Sequence, residues 1–152
     1  MVMRLPCKRS ANLLTHFPAL DLLPTISAMI RMQPDFQTIF DQLRGILKKN
    51  AGALTVKEDA PSSCWLETGI HPQLKKKICA AGVEIKKTYV SYHFMPIYAR
   101  PDLKTGVSPA LLARMQGKSC FNFQAVDQAL FAELDELTSR SFARFRSGGF
   151  RP

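Results

Sequence analysis

The chain has 152 residues, 46% of them hydrophobic and 22% charged, which fits one globular domain with or without a tail. Its formal charge of +9 favours anionic partners. The longest basic run is only Lys75-Lys76-Lys77, however, and this argues against a nucleic-acid-binding tail. Cys7, Cys64, Cys79 and Cys120 form no C-x-x-C pair and have no histidine cluster beside them, which argues against a zinc site of the usual spacing and suits a reduced, cytoplasmic setting.

Residues 1–31 carry Arg4, Lys8, Arg9 and Arg31 against the single acid Asp21. Their apolar part is interrupted by His16, Pro18, Asp21 and Pro24, leaving no span of the roughly 20 apolar residues that a membrane helix needs. The expectation is a poorly ordered or mis-annotated N-terminal extension, followed by one domain over residues 32–148 and a tail at 149–152. Without the first 31 residues, 17 basic and 11 acidic residues remain, a mild bias of +6.

Pro34 and Asp35 signal a helix start. Phe36, Ile39, Phe40, Leu43, Ile46 and Leu47 follow at helical spacing, and Asn50-Ala51-Gly52 ends the run. Leu54–Asp59 and Cys64–Thr68 read as strands around the turn Ala60-Pro61-Ser62-Ser63, and residues 69–77 as a loop. Ile78–Lys87 and Thr88–Tyr98 form the strongest strand pair. Ser108-Pro109 should cap a short helix reaching about Met115 and stopped by Gly117. Ser119–Phe123 reads as a strand, and a long helix from about Asp127 to Arg146 carries an apolar stripe of Leu130, Phe131, Leu134, Leu137, Phe142 and Phe145. A helix, a run of strands and then helices make an α+β domain: an antiparallel sheet with helices packed on one face. The other face of such a sheet can be polar.

The hairpin fixes what that polar face holds. Pairing Ile85 with Val90, Val83 with Tyr92 and Ala81 with Phe94 puts six apolar side chains on one side, because side chains alternate along a strand. The other side then carries Lys86 and Tyr89, Glu84 and Ser91, and Gly82 and His93. A slip of one residue would mix the two faces, so the pattern sets the register. Glu84, Lys86, Tyr89, Ser91 and His93 are thus candidate ligand-binding residues, with Lys118 after its glycine turn as a sixth. A histidine beside a carboxylate, hydroxyls and lysines can hold an anion or move a proton. The same residues also read as a solvated face with ordinary cross-strand pairs. A metal site would need Cys120 as a third ligand, supplied only if its strand lies next door.

The segments Val90-Ser91-Tyr92-His93, Ser108–Met115, Gly117-Lys118, Ser119–Phe123 and the final helix, taken in this order, resemble the YdhG-like family of small bacterial domains of unknown function. The resemblance spans about residues 33–148. It implies an α+β fold with no established enzymatic activity. Some relatives are described as frataxin-like iron chaperones, which would present acidic side chains on a helix. Here the first helix offers only Asp35 and Asp41, while Glu133, Asp135 and Glu136 suit a helix surface, with Glu136 four residues before Arg140.

Three further features have simpler readings. The C-terminal arginines and phenylalanines fit a helix terminus and an apolar stripe better than a nucleic-acid surface. Gly117-Lys118-Ser119 lacks the upstream glycine of a phosphate loop, since Leu112 stands there. Ser91 and His93 share a face, yet nothing supplies an oxyanion hole, so a hydrolase is disfavoured. The sequence therefore points to a non-catalytic cytoplasmic binding module for a small anionic ligand or a protein partner, with no cofactor and no membrane span, and to a frataxin-like iron or metal chaperone as the alternative.

Overall fold

The first helix, α1 (Phe36–Asn50), begins where the Asp35 carboxylate accepts the Thr38 backbone N–H at 3.1 Å, one turn ahead of the apolar stripe. Asp35 is therefore the cap. Ile39, Phe40, Leu43 and Leu47 are buried along one side, and Lys48 and Lys49 occupy the last turn, where cations suit the helix dipole. Gly52, with φ +56°, reverses the chain. The computed structural model describes residues 35–71 and 74–148, with side chains as far as Arg144. The expectations placed on residues 1–31 and Pro34, on the side chains from Phe145 onward and on the tail lie outside the described residues.

Four strands follow: β1 (Thr55–Ala60), β2 (Ser63–Ile70), β3 (Lys77–Ile85) and β4 (Val90–Phe94). They pair antiparallel in sequence order, and β3 meets β4 in the register that the alternation requires, Ala81 opposite Phe94 through Ile85 opposite Val90. The turn between them is closed by the Lys86 N–H donating to the Tyr89 carbonyl at 2.8 Å. The loop expected over residues 69–77 is shorter, because Ile70 already pairs with Lys77.

Two expectations are corrected after β4. The strand expected to run to Tyr98 ends at Phe94, and Met95–Ala99 forms a short helix, α2, with Pro96 in its first turn. Proline has no N–H for a ladder bond but fits a first helical turn. A 3₁₀ turn (Pro101–Lys104) leads to α3 (Pro109–Leu112), where the Ser108 hydroxyl accepts the Leu111 N–H. That helix stops at Leu112 rather than near Met115. Met115–Gln116 instead form strand β5, paired with β6 (Cys120–Phe123). Gly117, at φ +66°, begins the turn between them and is not a helix stop.

The last helix, α4 (Gln128–Gly148), starts at Asp127, whose carboxylate accepts the Leu130 N–H at 3.1 Å. The six strands lie in the order β1-β2-β3-β4-β6-β5, with every pairing antiparallel. Helix α1 packs on β3, β4 and α4. Phe123 meets Phe131 edge-on, and Phe94 meets Phe142, which seats α4 on the same face. Cys64, Leu66, Val83, Val90, Tyr92, Phe94 and Phe121 are buried on that face. The fold is α+β, with a six-stranded antiparallel sheet covered by helices on one side.

Candidate functional site

On the opposite face, the ladder aligns residues from non-adjacent parts of the chain. Trp65 on β2 stands opposite Gly82 on β3, Gly82 opposite His93 on β4, and His93 opposite Cys120 on β6. One row along, Ser63, Glu84, Ser91 and Asn122 are aligned in the same way. Alternation puts both rows on the side away from the helices.

Gly82 shapes the first row. A Cβ at that position would lie 2.2 to 2.7 Å from three atoms of the Trp65 ring, so the indole lies directly over the glycine. Its ring centre is 4.9 Å from that of His93, at an interplanar angle of 30°. The space that glycine leaves beside the imidazole is filled by tryptophan.

The other edge of the imidazole meets sulfur and carboxylate. Nδ1 of His93 lies 3.1 Å from Sγ of Cys120, within hydrogen-bonding reach. Nε2 faces Oε2 of Glu84 at 3.7 Å, too far for a hydrogen bond. The same carboxylate oxygen receives Lys86 Nζ at 2.6 Å. Burial lowers the His93 pKa below 6.5, Glu84 opposes that shift and Lys86 adds to it, so the ring favours its neutral form.

The sequence-derived candidates are only partly brought together. Glu84, Lys86 and His93 converge. Ser91 is 2% exposed between Glu84 and Asn122, a covered position for a nucleophile. Tyr89 lies at one corner and lines a depression of about 220 Å³ with Arg114, Gln116, Asn122 and Gln124. Lys118 stands apart: its Nζ sits 5.8 Å from the centre of the Tyr98 ring, a cation–π contact at the β5–β6 turn. Trp65, Asn122 and Arg114 were absent from the candidates. The pairing of His93 with a glycine signalled room beside the imidazole, but nothing in the sequence assigned that room to Trp65. For the others there was no signal, because the neighbour of β4 is not deducible from alternation.

Two buried side-chain atoms lack a hydrogen-bond partner among the described residues, Nε2 of His93 and Oδ1 of Asn122. Both lie on this face. Buried polar atoms are almost always paired, so an orphan calls for an explanation. Nδ2 of Asn122 is engaged, donating to Oε1 of Gln116 at 2.7 Å.

For a metal the arrangement is poor. Cys120 does lie next to His93, but thiol and carboxylate approach different ring nitrogens, so one ion on this imidazole cannot take both as ligands. No group of three His, Cys, Asp or Glu among the described residues is placed to hold a metal ion. The acids of α1 serve the helix: Asp35 is its cap, and Asp41 accepts from Gln37 at 3.2 Å. Asp135 receives Lys49 and Asn50, each at 2.6 Å, and Glu133 holds Ser108 through both oxygens. No helix among the described residues is long and apolar enough to cross a membrane. No family model matches the sequence, and neither a curated protein nor a solved structure matches it at a significant level.

Proposed function

We propose that the chain is a binding module whose open sheet face holds a small ligand with an anionic group. The observation that carries this reading is the pair of orphaned polar atoms, Nε2 of His93 and Oδ1 of Asn122, on the sheet face that none of the described helices covers. A neutral His93 whose Nδ1 faces sulfur carries its N–H at the buried Nε2, which a ligand oxygen would reach by displacing the side chains packed over it. Asn122 offers an acceptor to a ligand donor. Arg114, beside Asn122 on the rim of the depression, supplies positive charge, as does the overall +9. The flat faces of Trp65 and Tyr89 suit a ligand with a planar or apolar part. Membership of the YdhG-like family is part of the same proposal. It draws support from the order of strand, short helices, Gly117-Lys118, strand and long helix.

The test is a thermal-shift panel of phosphate esters and small carboxylates. A ligand at 100 times its dissociation constant stabilises a protein by about 2.7 kcal/mol, so a true ligand is readily seen. His93→Ala and Arg114→Ala should stay folded and lose the shift. If no member of the panel shifts the wild type, or if both variants shift as the wild type does, the reading fails.

A further inference from the structure

We propose that Cys120 is a nucleophilic thiol, with His93 as the base that takes its proton and Glu84 as the residue that positions the imidazole, and that it exchanges with small anionic disulfides. This goes beyond reversible binding and does not depend on the identity of any bound ligand.

The order of groups carries the argument. Cys120 Sγ lies 3.1 Å from Nδ1 of His93, and Glu84 stands at 3.7 Å from the other ring nitrogen. Nucleophile, base and orienting acid are thus in line across three strands, the arrangement that activates a thiol. Nδ1 can accept the thiol proton only if the neutral ring carries its hydrogen on Nε2, and a carboxylate facing Nε2 favours that tautomer. The imidazolium formed on proton transfer would sit between thiolate and carboxylate, both of which stabilise it. Trp65, lying over Gly82, limits how far the ring can turn away.

The other described cysteines differ. Cys64 is wholly buried against the helices, and burial pushes its thiol pKa up. Cys79 is half-buried and is also pushed up by burial. No hydrogen bond from a histidine to either is seen among the described residues, whereas Cys120 is half-buried and has one.

Charge selects the co-reactant. Arg114 has no carboxylate partner among the described residues, and Gln116, opposite Cys120, lines the depression with Arg114. In the exchange, the Cys120 proton passes to His93 Nδ1 as the sulfur attacks one sulfur of the disulfide. The S–S bond breaks, and the departing sulfur takes the proton back from His93. Cys120 is oxidised to a mixed disulfide and the departing sulfur is reduced to a thiol, with no other reagent consumed.

The experiment treats the full chain with sub-stoichiometric 5,5′-dithiobis(2-nitrobenzoate), an anionic disulfide, following thiol release by absorbance and the modified cysteine by peptide mass spectrometry. Cys120 should be modified well ahead of Cys79, and Cys120→Ser should remove that phase. His93→Gln should slow it by at least about tenfold. Glu84→Gln should move the pH midpoint of the Cys120 rate upward, which a purely structural role would not do. A neutral dipyridyl disulfide should react more slowly relative to a free cysteine standard. The proposal is overturned if Cys120 reacts no faster than Cys79, or if a folded His93→Gln keeps the wild-type rate. Should His93→Gln fail to fold, the wild-type pH profile decides. A rate sustained below pH 7 supports the proposal, and one that rises only through the ordinary thiol range near about 8.5 overturns it.

Discussion

The two faces of the sheet are built from the same strands and obey different rules. On the helix side no buried side-chain nitrogen or oxygen among the described residues lacks a hydrogen-bond partner. The Thr138 hydroxyl donates to the Leu134 carbonyl at 2.7 Å and so is free to accept from the Tyr92 hydroxyl at 2.9 Å, while burial keeps that phenol protonated. On the open side Trp65, Glu84, His93, Cys120 and Asn122 sit close together with two polar atoms unmatched. Strand alternation lets one residue serve packing while the next stays available for chemistry. Stability should therefore reside on one face and reactivity on the other.

Adjacent residues of β6 give the largest contrast. Phe121 is wholly buried and Asn122 points the other way. Phe121→Ala should cost about 3–5 kcal/mol through lost burial and the cavity left behind. Asn122→Ala should cost no more than about 1 kcal/mol, because it removes an acceptor that is already unmatched and one exposed hydrogen bond to Gln116. Urea unfolding of the two variants measures both. A comparable loss in each would mean that the open face also carries the fold.

Gly82→Ala should have an intermediate effect and transmit it across the face. Its methyl would overlap the Trp65 ring, so the indole has to leave its stack on His93. Overpacking of this kind costs about 1–3 kcal/mol. Trp65→Ala in the same background should recover part of the loss, making the pair non-additive. Trp65 is the only tryptophan, so its fluorescence should change in Gly82→Ala. Unchanged fluorescence and full stability would show that the stack imposes nothing on the imidazole.

These contrasts also mark how far the sequence could be read. The β3–β4 register was legible because Ala81, Val83, Ile85, Val90, Tyr92 and Phe94 permit only one pairing that keeps the apolar side chains together. The same pattern grouped Glu84, Lys86 and His93 correctly. It could not identify the far neighbour of β4, because periodicity describes a strand's faces and says nothing of its edges. Asn122 consequently came into view only with the β4–β6 pairing, and the same pairing decided that the strand of Cys120 lies next door. Pro96 and Gly117 were misread for a related reason: each residue suits two local structures, and tertiary pairing chose between them. Proline begins a helix as readily as it ends a strand, and a glycine at positive φ serves a hairpin as well as a helix end.

The smallest effect is expected from protonating His93, and its sign follows from burial. Glu84 faces the ring from β3, Lys86 lies beside it in the β3–β4 turn, Cys120 faces it from β6 and the uncharged Trp65 from β2. Desolvation outweighs Glu84, so the folded pKa lies below the ordinary 6.5. Above that value both folded and unfolded states carry a neutral ring, and stability does not depend on this group. As the pH falls through 6.5 the unfolded chain takes up the proton first, and stability is lost until the folded pKa is passed. Other groups titrate in the same range, so the informative quantity is the difference between wild type and His93→Gln. Below pH 6.5 the wild type should lose stability more steeply than the variant, and above it the two curves should run parallel. The opposite slope would mean that the Glu84 carboxylate, rather than burial, governs the imidazole, with the site resting as an ion pair.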